Sequence, residues 1–356
     1  MTAVALPDLE PATPSLVATP AVVAHRGASG LRPEHSMQAY RLALATGADD
    51  LEIDVVTTRD RVLVCRHDAE LSRTTDIAQR RDLAHLRTTK LVDGEVVTGW
   101  FVEDLLWAEV RTLRTRERWA RTRWASAAYD GRGRVVTLDE VLGLVRGESR
   151  RRGRPCGVLV ELKHAAYYEA LGLPLHEPLL DALRRHDLDH PASPVTVMSF
   201  EATVLRRLAR SARVPLVQLL GPAVDRPADV VASGGTTTFA ELATPVGLAR
   251  VEDWADGVGA HTGLVLADGV APTDLVRDAH RESLTVHVWT LRQENRFLPE
   301  PYRSRAGDDA AGDLPGLTTR LLELGVDGLI TDHPAVVRAA RDAWAQSWGS
   351  SAQATR

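Results

Sequence analysis

Leu51-Glu52-Ile53-Asp54-Val55 and Gly157-Val158-Leu159-Val160-Glu161-Leu162-Lys163 are the two stretches whose alternation decides the fold. A β-strand has a side-chain period of two. Glu52 and Asp54 therefore share one face of the first stretch, and Leu51, Ile53 and Val55 the other. In the second, Glu161 and Lys163 share a face opposite Val158, Val160 and Leu162. In a β/α barrel the apolar sets would face the outer helices and the charged sets would point inward. Glu161 and Lys163 fall at the C-terminal end of their strand, where such barrels build their sites.

Further short apolar runs lie at 22–25, 195–200, 215–220, 257–261, 284–290 and 328–331. Helical patterns at 36–46, 138–145, 175–186, 202–211, 273–281 and 317–324 separate them. Strand then helix, repeated, predicts parallel β/α units. A doubly wound open sheet gives the same alternation, but a count of eight strands favours a closed eight-stranded parallel β/α (TIM) barrel. One extra strand candidate, 62–67, follows the second barrel strand. About sixty residues after it, 76–134, break the alternation and hold Trp100, Trp107, Trp119 and Trp124. They read as an insertion packed by its own aromatics beside the barrel mouth. The expected organisation is a flexible lead-in over 1–20, a catalytic barrel over 21–345 and a flexible tail over 346–356.

Composition narrows the function. The chain has 356 residues, with 43 basic against 48 acidic, so no basic field points to nucleic acid. Hydrophobic residues make up 44% and charged residues 26%, an ordinary globular balance. No apolar run approaches the ~18 residues of a membrane span, and stable membrane insertion is not expected. Cys65 and Cys156 are too few for a disulfide framework and read as small buried hydrophobes. Prolines 7, 11, 14 and 20 precede the first basic residue, Arg26. This does not look like a secretory signal, and the expected location is cytoplasmic, with export as the alternative. Nothing in the sequence specifies an oligomeric state.

Two carboxylates on adjacent inward positions are costly. At ~4 Å and an effective dielectric near 20 they repel by about 4 kcal/mol. A proton, a basic partner or a metal ion must relieve this. Glu161 converging on Glu52 and Asp54 would make an all-oxygen site suited to Ca²⁺ or Mg²⁺; alternatively Lys163 neutralises one acid in a structural network. Lys163 is one of only two lysines, with Lys90, among the 43 basic residues. A compact ammonium at that position suits a phosphate oxygen.

Two histidines end strand candidates. His25-Arg26-Gly27-Ala28-Ser29-Gly30 closes the first. There Arg26 can grip an anion, and Gly27 and Gly30 would let backbone approach a ligand. His67 closes 62–67, on a face with Leu63 and Cys65, an apolar setting that favours neutral imidazole. Two histidines beside three carboxylates, an arginine and a lysine can act as base and acid across a phosphodiester.

The ordered motifs resemble the glycerophosphodiester phosphodiesterases. They are His25-Arg26-Gly27, Pro33-Glu34-His35-Ser36, Gly47-Ala48-Asp49, Glu52-x-Asp54, Thr58-x-Asp60, His67-Asp68, Leu71-x-Arg73-Thr74-Thr75, Thr137-Leu138-x-Glu140, Val160-Glu161-Leu162-Lys163, Val288-Trp289-Thr290 and Gly325-Val326-Asp327-Gly328-Leu329-Ile330-Thr331-Asp332. The resemblance spans about 21–340. It implies a barrel with an insertion after strand two and one divalent cation, Ca²⁺ or Mg²⁺, on Glu52, Asp54 and Glu161. It implies His25 and His67 as the acid/base pair, Arg26 and Lys163 on phosphate, and hydrolysis of a small glycerophosphodiester to glycerol 3-phosphate and an alcohol. The nucleophile is water or the neighbouring glycerol hydroxyl. Many members carry Glu-Asn-Thr where this chain has Glu34-His35-Ser36, which leaves His35 without a role. The Pro-Glu-His version, Gln218 in Val217-Gln218-Leu219 and the run Ala255-Asp256-Gly257-Val258-Gly259 resemble the branch with bacterial periplasmic enzymes. Gln218 and Trp289 are taken as substrate-binding residues, Trp289 against glycerol. A larger substrate such as a lysophospholipid would need an apolar groove, and no basic amphipathic membrane-surface helix is evident. A catalytically silent binding barrel would lack one of the five histidine and carboxylate positions, and all five are filled.

Overall fold

The computed structural model describes residues 14–354. Eight parallel strands form the barrel: β1 (Ala21–His25), β2 (Asp50–Thr57), β3 (Gly157–Leu162), β4 (Val195–Ser199), β5 (Leu216–Leu220), β6 (Gly257–His261), β7 (Thr285–Leu291) and β8 (Gly328–Thr331). Each pairs with the next in chain order. β8 returns to β1, with Ala21 opposite Gly328 and Ala24 opposite Thr331, so the sheet closes. The extra strand is also present: Leu63–Cys65 runs antiparallel to the end of β2.

Alternation along each strand sorts the side chains. Val22, Ala24, Leu51, Ile53, Val55, Val158, Val160 and Leu162 belong to the large core between sheet and helices. Val23, Leu159, Met198, Val217, Leu219 and Ile330 form a separate plug inside the barrel. Each fully buried Ile, Leu or Val contributes roughly 1.5–3 kcal/mol. Gly259 on β6 makes room for this plug: a Cβ there would lie 2.4 Å from Leu219 Cδ2. The plug seals the barrel below its C-terminal rim and leaves the rim for polar groups.

Two of the sequence motifs are helix caps. Ser36 caps α1 (Met37–Ala45), its Oγ accepting from Ala39 N. Thr137 and Glu140 form a reciprocal capping box on α2 (Leu138–Arg152).

The insertion carries a hairpin, Thr88–Val92 with Glu95–Gly99, and several short helical turns. Its aromatics do not all pack it. Trp100 is buried, with Nε1 donating to Leu83 O at 2.9 Å, and Trp107 is half-buried against the core. Trp124 is 77% exposed, and Trp119 lines the cavity at the barrel mouth. Residues 1–13 of the lead-in lie outside the described residues, while Ser15 Oγ and Leu16 N both donate to Asp327 Oδ1 at 2.7 Å. The last helix, Pro334–Ala354, carries on into the stretch expected to be a tail. Among the described residues, no helix is long and apolar enough to cross a membrane.

Candidate active site

The inward positions at the strand ends converge on one cavity of about 320 Å³. His25 comes from β1, Glu52 from β2, Glu161 from β3 and Trp289 from β7; Arg26, His67, Lys163, Phe200 and Arg292 complete much of the wall. Asp54, one β2 step above Glu52, lies just behind. Ligand atoms of Glu52, Asp54 and Glu161 all sit within 4.8 Å of one another, and all three residues are buried. β2 and β3 are adjacent, with Asp54 opposite Glu161 in the register.

Charged partners surround these acids. Lys163 Nζ pairs with Glu161 Oε1 at 2.8 Å. Arg26 Nε pairs with Asp54 Oδ2 at 3.0 Å, and its backbone N–H donates to Glu52 Oε2 at 2.8 Å. His35 is fully buried, with Nε2 2.9 Å from Asp54 Oδ2 and Nδ1 2.8 Å from the Tyr40 hydroxyl. Among the described residues, Asp54 Oδ1 has no hydrogen-bond donor. Burial, then Asp54, drives the Glu52 carboxyl well above its usual range. Burial pushes Glu161 up to about 7, reinforced by Asp54 and opposed by Lys163. Burial also works to raise Asp54, yet Arg26 and Lys163 hold it well below its usual range. The lysine therefore does pair with one acid, and three carboxylates still crowd together. An orphaned oxygen and two carboxyls that resist ionisation fit a hard divalent cation on Glu52, Asp54 and Glu161.

The two histidines flank this cluster. His25 Nδ1 is 2.6 Å from Asp332 Oδ1, and His67 Nδ1 is 2.5 Å from Asp68 Oδ1. Each carboxylate fixes its ring and directs the other nitrogen. Burial, then Arg26, lowers His25 to about 4 against the pull of Asp332. Burial, Arg26 and Lys163 drive His67 well below its usual value, against Asp68. Both shifts favour the neutral imidazole.

Trp289 stands on the cavity wall as expected, its Nε1 donating to Gly259 O at 2.7 Å and its ring edge-on to Phe200. Gln218 does not reach the site. Its amide is fully buried, with Nε2 donating to Ser199 O, Phe200 O and Leu219 O and Oε1 accepting from Trp254 Nε1. Val217 and Leu219 face the barrel interior, so period two turns Gln218 outward. That alternation was visible in the sequence. Gly27 and Gly30 serve packing: a Cβ would lie 2.6 Å from Ala39 C at Gly27 and 2.2 Å from His333 Nε2 at Gly30. Gly27 also has φ +83°. The partners of the histidines, Asp68 and Asp332, carried a signal in the motifs His67-Asp68 and Thr331-Asp332, but chain distance concealed that Asp332 meets His25. The sequence placed Trp119 in an insertion beside the barrel mouth but favoured a packing role for it, and nothing there indicated that Arg292 lines the cavity.

A 27% identical glycerophosphodiester phosphodiesterase of Arabidopsis thaliana aligns with 90% of this chain and 85% of its own length. One from Haemophilus influenzae is 25% identical, covering 88% of this chain and 87% of its own. Among solved structures, a putative glycerophosphoryl diester phosphodiesterase from Silicibacter pomeroyi superposes with a TM-score of 0.61 at 23% identity, covering 92% of this chain and 95% of that one. An Oleispira antarctica phosphodiesterase, solved with its product sn-glycerol-3-phosphate, gives 0.60 at 20% identity, covering 91% and 97%. With this barrel and this rim, the chain is a phosphoric diester hydrolase. It belongs to the glycerophosphoryl diester phosphodiesterase family, whose model matches residues 25–336.

Proposed function

We propose that the protein hydrolyses glycerophosphodiesters to glycerol 3-phosphate and an alcohol, using a divalent cation and two histidines. The observation that supports this most is the gathering of His25, His67, Glu52, Glu161, Arg26 and Lys163 on one cavity, with Asp54 beside them. The relatives' names and the product bound to the Oleispira enzyme point to the same substrate class.

Glu52, Asp54 and Glu161 would hold Ca²⁺ or Mg²⁺, which supplies Lewis-acid neutralisation of the phosphoryl oxygens. Arg26 and Lys163 bind the non-bridging oxygens, and their fixed charges favour the more negative transition state. One imidazole takes the proton of the attacking oxygen, of water or of the neighbouring glycerol hydroxyl, as that oxygen bonds to phosphorus; attack by the glycerol hydroxyl gives a cyclic phosphate that water then opens to glycerol 3-phosphate. The other, which enters as imidazolium once the phosphodiester anion is bound, gives its proton to the departing alkoxide oxygen as the P–O bond breaks and is left neutral. Asp68 and Asp332 stabilise whichever ring is imidazolium. Trp289 packs against the glycerol carbons.

Released glycerol 3-phosphate would be measured from a panel of glycerophosphodiesters, with and without chelator. Activity is expected on the panel, to vanish with chelator and to return with Ca²⁺ or Mg²⁺. His25→Ala and His67→Ala are each expected to lower kcat by at least ~100-fold with folding intact. Full turnover in a metal-free sample removes the cation role, and near-normal kcat in both variants removes the acid–base assignment.

A further inference from the structure

The insertion sends two arginines into the floor of the mouth, and each meets one histidine's carboxylate. Arg118 Nη1 lies 2.8 Å from Asp68 Oδ2, and Asp68 holds His67. Arg123 Nη2 donates to Asp332 Oδ2 at 2.6 Å, and Asp332 holds His25. Both guanidinium groups are locked from behind. Arg118 Nε and Nη2 fork onto Glu34 at 2.7 and 2.8 Å. Arg123 Nε donates to Glu294 Oε1 at 2.6 Å and Nη1 to Ser29 O at 3.1 Å. The arginine side chains are 5% and 3% exposed; Asp332 is 1% exposed, so that contact is away from solvent screening, while Asp68 is 20% exposed. Between them Trp119 lies under the Arg123 guanidinium, 4.7 Å from its ring centroid, and lines the cavity. Only a planar fork can bond two carboxylates from opposite edges in this way.

We propose that Arg118 and Arg123 are positioning residues for the acid–base pair: the insertion orients both imidazoles, through Asp68 and Asp332. The inference rests on the two-histidine reading above. It gives the insertion a part in catalysis beyond covering the mouth. The two arms are unequal. Asp332 Oδ2 also receives Arg292 Nε at 2.8 Å, whereas among the described residues the one arginine in an ion pair with Asp68 is Arg118. Loss of Arg118 is therefore the more damaging.

The test compares Arg118→Ala, Arg123→Ala, His67→Ala and His25→Ala on glycerophosphocholine and on the p-nitrophenyl ester of glycerol 3-phosphate. p-Nitrophenolate departs without a proton, so this ester bypasses the general acid and still needs the base. One histidine variant is therefore expected to lose far less on the activated ester than on glycerophosphocholine, and the other to lose equally on both. The ratio of the two losses is independent of how much enzyme is folded. Arg118→Ala should reproduce the ratio of His67→Ala, and Arg123→Ala that of His25→Ala. Losses in kcat on glycerophosphocholine should be about 10- to 100-fold, with KM within about threefold. Arg118→Lys and Arg123→Lys, which keep the buried charge, should give the same ratios at smaller losses. One shared ratio in both arginine variants, with the histidine variants still divided, overturns the inference and leaves the two-histidine reading standing. Histidine variants with no division overturn both.

Discussion

His35 sits where the resemblance supplied no role, and its contacts supply one. Its two ring nitrogens face the Tyr40 hydroxyl and Asp54 Oδ2. With Nε2 protonated, it donates to Asp54 while Nδ1 accepts from Tyr40. Asp54 Oδ2 is thereby occupied by His35 and Arg26, and Oδ1 is left free beside Glu52 and Glu161. His35 has φ +54°, a left-handed backbone that Asn and His adopt more readily than most residues. This explains how Asn in other members and His here can occupy one position: both tolerate the backbone and both offer a donor. His35→Ala should weaken Ca²⁺ binding by about 10- to 100-fold, as the loss of a partner behind a metal ligand typically does. His35→Asn should recover most of it. Titration calorimetry reads both, and an unchanged affinity in His35→Ala would remove His35 from the support of the site.

At the scale of elements, period two carried most of what the sequence revealed. Leu51, Ile53 and Val55 against Glu52 and Asp54, and Val158, Val160 and Leu162 against Glu161, sort into outer core and inner rim as the alternation demands. The same rule, applied to Leu216-Val217-Gln218-Leu219-Leu220, puts Gln218 with the outward Leu216 and Leu220. Family likeness obscured that reading. What alternation does not encode is contact between distant segments. Arg118 meeting Asp68, Arg123 meeting Asp332 and Trp119 reaching the cavity all depend on how the irregular insertion folds back. No periodic pattern marks such a path. Gln218→Ala is the test of the corrected placement. It strands the Trp254 indole N–H and frees three carbonyl oxygens in a buried layer. Denaturant unfolding should show a loss of about 1–3 kcal/mol, with KM for glycerophosphodiesters unchanged. A raised KM at unaltered stability would restore Gln218 to the substrate site.

The whole molecule couples its closure to the acidic cluster. Pairing β2 with β3 brings Glu52, Asp54 and Glu161 together, and pairing β1 with β2 sets His25 opposite Glu52. In the unfolded chain these carboxyls titrate near ~4. In the fold, burial and then Asp54 raise Glu52, and Glu161 is pushed up to about 7. Glu52 and Glu161 in the metal-free fold then hold more protons than they do in the unfolded chain between those limits. Stability rises with pH only where the unfolded state binds more protons, so here the contribution of this cluster is present below the unfolded value and is lost as pH climbs toward 7. A divalent cation displaces those protons, and its own binding adds stability to the folded state alone. The rise in melting midpoint given by Ca²⁺ should therefore grow from pH 5 to pH 8. Ca²⁺ binding should release about one proton or more at pH 6 and fewer at pH 8. Melts with and without EDTA, and calorimetry in buffers of different ionisation enthalpy, measure the two effects. A Ca²⁺ increment that stays flat across this range would show that the three acids are already ionised in the metal-free protein, held by Arg26 and Lys163 alone.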